Sequence, residues 1–308
     1  MMVAPPSDQP PTRWQRLVTR IDAYERLLRL DKPIGALLLL WPTLTALWLA
    51  SGGRPRWLWV IVMVVGTLLM RSAGCAINDL ADRAFDAHVK RTASRPLVTG
   101  EVTPAEALGL AAMLALCAFV LVWLGTNRVA TLWSVPALAI AVAYPFFKRF
   151  FALPQAFLGI AFSFGIPLAY ATVQGTVPAI AWLLLAVNLF WVIAYDTEYA
   201  MVDRDDDLRI GIRTSAITFG RFDILAIAIC YALHLAGMAW IGITMRLGPL
   251  YFAALAVAAV FALHHLVLIR ERDRDKCFRA FLSNHWLGFA IFAGVVLDYG
   301  YRSAWPGV

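Results

Sequence analysis

Two aspartate-rich segments carry the residue types best suited to chemistry. The first reads Asn78-Asp79-Leu80-Ala81-Asp82-Arg83-Ala84-Phe85-Asp86. The second opens with Asp196 and Glu198 and continues as Asp203-Arg204-Asp205-Asp206-Asp207. Asp79, Asp82 and Asp86 are spaced i, i+3, i+7, which is one face of a helix. Asp196, Asp203 and Asp207 are spaced i, i+7, i+11 and share a stripe if a helix runs that far, whereas Asp205 falls off it. Carboxylates stacked on one helical face repel one another. A hard divalent cation with oxygen ligands relieves that repulsion, and Mg²⁺ suits the task best when a substrate phosphate completes its shell. Two such stripes facing each other could hold a diphosphate through bridging metal ions.

Basic residues follow each acidic segment. Lys90, Arg91 and Arg95 come after the first, and Arg209 and Arg213 after the second. Lys148 and Arg149 come directly after Tyr144-Pro145-Phe146-Phe147, and Lys32 ends a basic N-terminal arm. Lysine and arginine are natural partners of phosphate and carboxylate oxygens. With Asn78, Tyr144 and Asp196, they form the candidate substrate-binding set. Cys75, Cys117, Cys230 and Cys277 make no CxxC pair and read as small apolar filler. The five histidines show no HExxH pattern, so a zinc site is not indicated.

The elements that must position these residues are membrane-spanning helices. Of 308 residues, 61% are hydrophobic and only 15% charged, and mean hydropathy is +0.69. A soluble domain averages nearer ~25% charged residues. Apolar runs bounded by charges give about nine spans, at 34–50, 57–77, 105–125, 130–147, 154–173, 178–197, 223–243, 248–269 and 284–300. Backbone amides in hydrocarbon must be satisfied within their own segment, so these runs are expected to be helices. Pro42, Pro136 and Pro167 predict kinks. The first apolar run starts too late for a signal peptide. The chain divides into a cytoplasmic arm at 1–25 that reads as a membrane-surface helix with a disordered tip, one integral domain at 26–302, and a tail at 303–308. The Arg/Asp-rich stretch 270–279 reads as a solvated connector.

Charge orients the bundle. With the N-terminus inside, basic residues crowd the arm and the loops after the second, fourth, sixth and eighth spans. The other side holds only Arg54, Arg56, Arg128, Arg246 and Arg302, and Arg71 lies within a span. The positive-inside rule therefore places the N-terminus and both aspartate segments in the cytoplasm. Topology accounts for the net charge of +7 without nucleic-acid binding. Asp298 alone among the acidic residues falls near the outer side, a bias that the positive-inside rule does not require.

The chain resembles the UbiA superfamily of intramembrane prenyltransferases, and within it the bacterial 4-hydroxybenzoate branch of ubiquinone biosynthesis. The resemblance rests on Asp-Lys-Pro-Ile-Gly-Ala-Leu-Leu-Leu-Leu-Trp-Pro at 31–42 and on Gly74 through Gly100. It rests also on Tyr-Pro-Phe-Phe-Lys-Arg at 144–149 and Tyr-Asp-Thr-Glu-Tyr-Ala-Met-Val-Asp-Arg-Asp-Asp-Asp at 195–207. It implies an all-α integral membrane bundle of about nine helices around a central lipid-accessible cavity in a bacterial inner membrane. It also implies Mg²⁺ as cofactor, polyprenyl diphosphate as donor and 4-hydroxybenzoate as acceptor. Asn78, Asp79, Asp82 and Asp86 resemble the family's first metal–diphosphate motif, and Asp203 and Asp207 its second. Where many members carry an acidic residue three or four positions before the second motif, this chain has Tyr199 and Ala200, so the metal shell there would lean on Asp196 or Glu198. Arg149, with Lys148 beside it, matches a basic position for the acceptor's carboxylate. Haem, homogentisate and dihydroxynaphthoate are alternative acceptors within the superfamily. A secondary transporter would place carboxylates near the midplane, and a CDP-alcohol phosphotransferase would show an Asp-Gly-x-x-Ala-Arg signature that is absent.

Overall fold

The computed structural model describes residues 12–89, 91–147, 151, 153–211 and 213–304. Each expected apolar run forms helix. The elements are α1 (Arg13–Leu28), α2 (Ile34–Ala50), α3 (Trp57–Asp86), α4 (Pro96–Thr99), α5 (Pro104–Gly125), α6 (Arg128–Phe147) and α7 (Pro154–Ser163). They continue as α8 (Gly165–Gln174), α9 (Ala179–Ile210), α10 (Ser215–Phe219), α11 (Asp223–Thr244), α12 (Pro249–Ile269) and α13 (Arg274–Ala304). Eight stretches among the described residues are long and apolar enough to cross a membrane, and α2 adds a shorter apolar helix. Large apolar side chains such as Leu124, Val260 and Ile243 face outward at 73%, 65% and 63% exposure, an arrangement only a lipid solvent favours. The chain is a multi-pass helical membrane protein.

Local sequence sets the helix boundaries. Thr12 with Gln15 and Thr103 with Glu106 form capping boxes at the starts of α1 and α5, which satisfy backbone N–H groups that a helix start leaves open. Prolines at the first positions of α5, α7 and α12 lose nothing there, since that N–H has no helical partner. Gly211, at φ 72°, takes the left-handed conformation that ends α9.

Four boundaries differ from the sequence expectation. α3 and α9 run on past their apolar spans to Asp86 and Ile210, so both aspartate segments are helical. The run 154–173 is broken at Phe164 into α7 and α8 and is not merely kinked. Pro167 has no N–H for the Ser163 carbonyl, and the Phe164 N–H turns to the Ala161 carbonyl at 3.4 Å. The stretch 270–279 is not a solvated connector throughout: α13 begins at Arg274, and Cys277 is buried. There Arg274 bonds the Val202 carbonyl at 2.6 Å and Asp206 at 3.0 Å, which fastens α13 to α9.

Packing leaves a space between two walls. A large core of buried side chains, Trp191, Tyr195, Tyr231 and Tyr251 among them, joins α2 and α7–α9 to α11–α13. A second cluster, including Ala23, Leu27, Ala73, Leu97 and Ala107, seats α1 and α4 on α3 and α5. Val62, Val122, Ala130 and Ala171 form a third where α3, α5, α6 and α8 meet.

Candidate active site

The space between these walls is a cavity of about 850 Å³. Asn78, Asp79, Arg29, Arg91, Arg95 and Asp196 line its polar end. Tyr144, Tyr195, Tyr199, Phe162, Phe278 and Phe281 are its aromatic lining, with Tyr199 beside Arg91, and most of the other lining side chains are apolar.

The first carboxylate stripe forms as its spacing predicts. Asp79, Asp82 and Asp86 are buried at 1%, 6% and 6% exposure, while Arg83 and Phe85 on the same turns are exposed. Arginines hold two of these carboxylates. Arg29 donates to both oxygens of Asp79 at 3.0 and 2.9 Å. Arg95 bridges Asp79 at 2.9 Å and Asp86 at 2.5 Å.

On α9 the helix continues far enough for Asp196, Asp203 and Asp207 to share their stripe. Asp203 and Asp207 are buried, and Asp205 is exposed. Arg91 donates to Asp203 through Nε at 3.0 Å and Nη2 at 2.6 Å, and its guanidinium lies 4.8 Å from the Tyr199 ring centroid. Partial burial works against the Arg91 charge, but Tyr199 and Asp203 outweigh it and raise the guanidinium pKa above its ordinary value. Arg91 and Arg95 belong to one short segment, which therefore ties the two stripes together. Thr92 Oγ1 donating to the Asp86 carbonyl at 2.9 Å, and Arg83 to the Leu97 carbonyl at 3.0 Å, pin that segment to α3.

The other candidates divide. Tyr144 and Asp196 line the cavity, and Lys32 stands at its mouth, 72% exposed and 3.7 Å from Asp31. Arg209 and Arg213 do not reach it. Arg209 is 80% exposed with Asp206 at 3.9 Å, and Arg213 is exposed just after the turn that ends α9. Lys90, Lys148 and Arg149 lie outside the described residues. Glu198 does not join the aspartate stripe either. It is fully buried and accepts from Tyr231 Oη and Asn284 Nδ2, both at 2.8 Å, while Asn284 Oδ1 takes the Trp191 indole N–H at 2.9 Å. Two residues along a helix is about 200° of rotation, so a side chain at 198 must face away from one at 196.

Among the described residues no three carboxylate, His or Cys side chains already converge on one point as a metal cage. The donor set nevertheless fits a hard cation: it consists of carboxylates and one amide, one helical turn apart, on two stripes joined through a single segment. The arginines now on Asp79, Asp86 and Asp203 are also the groups that would pair with phosphate oxygens.

A sequence profile of the UbiA prenyltransferase family matches residues 39–289. The chain belongs to the UbiA prenyltransferase family. The 4-hydroxybenzoate octaprenyltransferase of Burkholderia vietnamiensis (strain G4) is 59% identical over 283 residues, covering 92% of this chain and 97% of the relative. That of Thiobacillus denitrificans is 61% identical over 287 residues, covering 93% and 98%. The solved structure of a UbiA homologue from Aeropyrum pernix K1 has TM-score 0.74 and 28% identity over 85% of this chain and 97% of its own. A UbiA homologue from Archaeoglobus fulgidus, solved bound to GPP and Mg²⁺, has TM-score 0.67 and 17% identity over 89% and 99%, a likeness of fold.

Within this UbiA-family site, sequence reasoning missed three residues. Arg29 pairs with a carboxylate fifty positions away, and its left-handed φ of 57° at the end of α1 turns it inward. Arg71, read only as a charge within a span, reaches the cavity, where it donates to Cys75 Sγ at 2.7 Å and its Nε has no partner among the described residues. Tyr195, 1% exposed, lines the cavity, and its buried hydroxyl has no partner among the described residues. An arginine within an apolar span is a functional signal by default, and that signal was available for Arg71.

Proposed function

We propose that the chain transfers a long polyprenyl group from its diphosphate to carbon 3 of 4-hydroxybenzoate, releasing diphosphate, as a step of ubiquinone biosynthesis at the bacterial inner membrane. The observation that carries the reading is one cavity lined by Asp79, Arg29, Arg91 and Arg95, whose arginines also hold Asp86 and Asp203 just outside the lining, and lined elsewhere largely by aromatic and apolar side chains. The names of the relatives at about 60% identity agree with it.

Each part of the cavity then has a task. Asn78, Asp79, Asp82, Asp86, Asp203 and Asp207 would hold Mg²⁺, with Asp196 beside them. Bound there, Mg²⁺ neutralises charge on the leaving diphosphate. Arg29, Arg91 and Arg95 turn from carboxylate to phosphate oxygens and stabilise the same charge. The allylic C–O bond breaks and its electron pair leaves with the diphosphate. Tyr144, Tyr195, Tyr199 and Phe162 exclude water from the allylic cation and offer it their ring faces. Arg149, with Lys148, is assigned to the acceptor's carboxylate. The ring carbon beside the phenol then forms the new C–C bond and loses its proton, which restores aromaticity. The donor and product are lipids, which places the reaction in the membrane, and the N-terminus and both aspartate segments face the cytoplasm. Membrane lipid is a further partner: α1 presents Trp14, Leu17, Val18 and Ile21, each at least 49% exposed, alongside Arg13, Arg16 and Arg20, a pattern suited to an anionic leaflet.

Membranes containing Asp79→Ala or Asp203→Ala, supplied with long-chain donor, labelled 4-hydroxybenzoate and Mg²⁺, are expected to lose at least ~100-fold in transfer rate. Full activity in either variant sinks the clamp assignment. Labelled homogentisate or dihydroxynaphthoate taken up in place of 4-hydroxybenzoate overturns the acceptor.

A further inference from the structure

Glycine is a poor helix former, and in mid-helix it needs a reason. The reason for most glycines in these helices is contact. A Cβ at Gly165 would meet Thr43 Oγ1 at 2.1 Å, one at Gly237 would meet Val187 at 2.4 Å, and one at Gly288 would meet Trp191 at 2.5 Å. Gly66 and Gly74, both in α3, are different. A Cβ at either would meet nothing within 4 Å, and both line the cavity; Gly74 lies one turn from Asn78, whereas Gly66 lies deep in α3.

The depth of Gly66 gives the open space there a meaning. Asn78, Gly74, Met70, Gly66 and Val62 all line the cavity from α3 at successive four-residue steps, a row that winds about 160° around the helix. At 1.5 Å per residue the stripe is about 24 Å long, and Gly66 lies about 18 Å below Asn78. An extended isoprene unit, with four carbon–carbon bonds of about 1.5 Å each, advances about 5 Å. A donor whose diphosphate sits beside Asp79 would end above Gly66 if it has two units and would pass Gly66 if it has four or more.

We propose that Gly66 is a chain-length determinant, the point on α3 where the absence of a side chain lets the fourth and later isoprene units of the donor pass into the deep apolar end of the cavity. The proposal rests on the prenyl-transfer reading above.

Gly66→Leu tests it, because leucine favours the helix and fills only the cavity side. Purified full-length protein with Mg²⁺ is assayed with two-unit and eight-unit prenyl diphosphates and 4-hydroxybenzoate. Donor binding is read separately, without acceptor, from the shift in thermal unfolding. The variant is expected to keep the two-unit rate within about twofold and to lose at least tenfold on the eight-unit donor, with Gly66→Ala in between. Gly109→Leu, at an exposed glycine that also has nothing within 4 Å but does not line the cavity, is expected to leave both donors unchanged. Equal losses on both donors, or no loss on the long one, overturn the proposal. Wild-type protein stabilised by long donors yet unable to prenylate 4-hydroxybenzoate overturns the reading of the acceptor instead, and the length dependence of binding then decides the role of Gly66.

Discussion

Arg95 holds two buried carboxylates apart, and its removal tests how the first stripe is balanced. Its side chain is 14% exposed and contacts Asp79 and Asp86, themselves nearly inaccessible. Removing one partner of a buried ion pair leaves uncompensated charge and typically costs about 3–5 kcal/mol. Arg95→Ala should therefore lower the unfolding temperature in detergent. If Asp79 and Asp86 are metal ligands, Mg²⁺ should recover more of that loss in the variant than it adds to the wild type, because arginine and cation compete for the same oxygens. An equal Mg²⁺ shift in both proteins would count against shared ligation. Glu198 is expected to behave differently. Glu198→Ala leaves Tyr231 Oη with Asn284 Oδ1 as an acceptor at 2.9 Å and Asn284 Nδ2 with the Ala280 carbonyl at 3.0 Å, but strips one Asn284 N–H of its acceptor, and should cost about 1–3 kcal/mol for that buried donor. Glu198→Gln keeps one oxygen acceptor and should lose less, by the same unfolding measurement. The sequence contained enough to separate Glu198 from the stripe, since its two-residue offset from Asp196 puts it on the opposite face. Arg29 was not legible in the same way, because its partner is fixed by the packing of α1 on α3 and not by any local period.

At the scale of elements, hydropathy located the helices well and their polar ends poorly. The apolar window closes where the charges begin, but the hydrogen-bonded ladder of α3 and α9 does not stop there, and the catalytic candidates stand on those extensions. The break between α7 and α8 was visible only as Pro167, whose effect on the turn before it depends on what takes up the freed groups. Beside the break the Ser163 side chain is held separately, its Oγ accepting from Asn188 Nδ2 at 2.7 Å, and α2 closes on the break where Thr43 faces Gly165. Gly165→Ala should thus destabilise the protein by about 1–3 kcal/mol through overpacking, and Thr43→Ala in the same chain should recover part of it. Strict additivity of the two in unfolding measurements would refute that contact. A pH effect belongs to α1. Arg26 hydrogen-bonds Glu101 and holds its carboxyl below the usual range. Stabilisation from a depressed carboxyl is present above its unfolded pKa of about 4.3 and is lost as pH falls through the lower folded value. The pair is about a third exposed on each side, so the effect should be small, about 0–1 kcal/mol. Amide exchange in α1, corrected for its intrinsic pH dependence, should rise below that pH in the wild type and be insensitive to acid in Glu101→Gln.

For the whole molecule, the arrangement that matters is one polar end and one apolar depth within a single bundle. The two aspartate segments are far apart in sequence, yet the ion pairs Arg95–Asp79 and Arg91–Asp203, made from one short segment, put them at the same end. The sequence could place both on one side of the membrane by charge alone. It could not show that the 91–95 segment joins them, because that depends on α4 docking through Leu97 onto α3 and α5. Orientation follows from where the basic residues concentrate. The aspartate end shares its side with the basic arm and loops, while the opposite loops carry Arg54, Arg56, Arg128 and Arg246, and on that count the positive-inside rule predicts the cytoplasmic orientation proposed above. Single cysteines in a cysteine-free background test this directly. Asp205→Cys, exposed at the aspartate end, should resist a membrane-impermeant maleimide in intact cells and react in inverted vesicles. Arg54→Cys, exposed in the loop after α2, should show the reverse. If Asp205→Cys is labelled in intact cells, the diphosphate site faces outward. The bundle would then be inverted against its own charge, and the donor would have to arrive from the opposite leaflet.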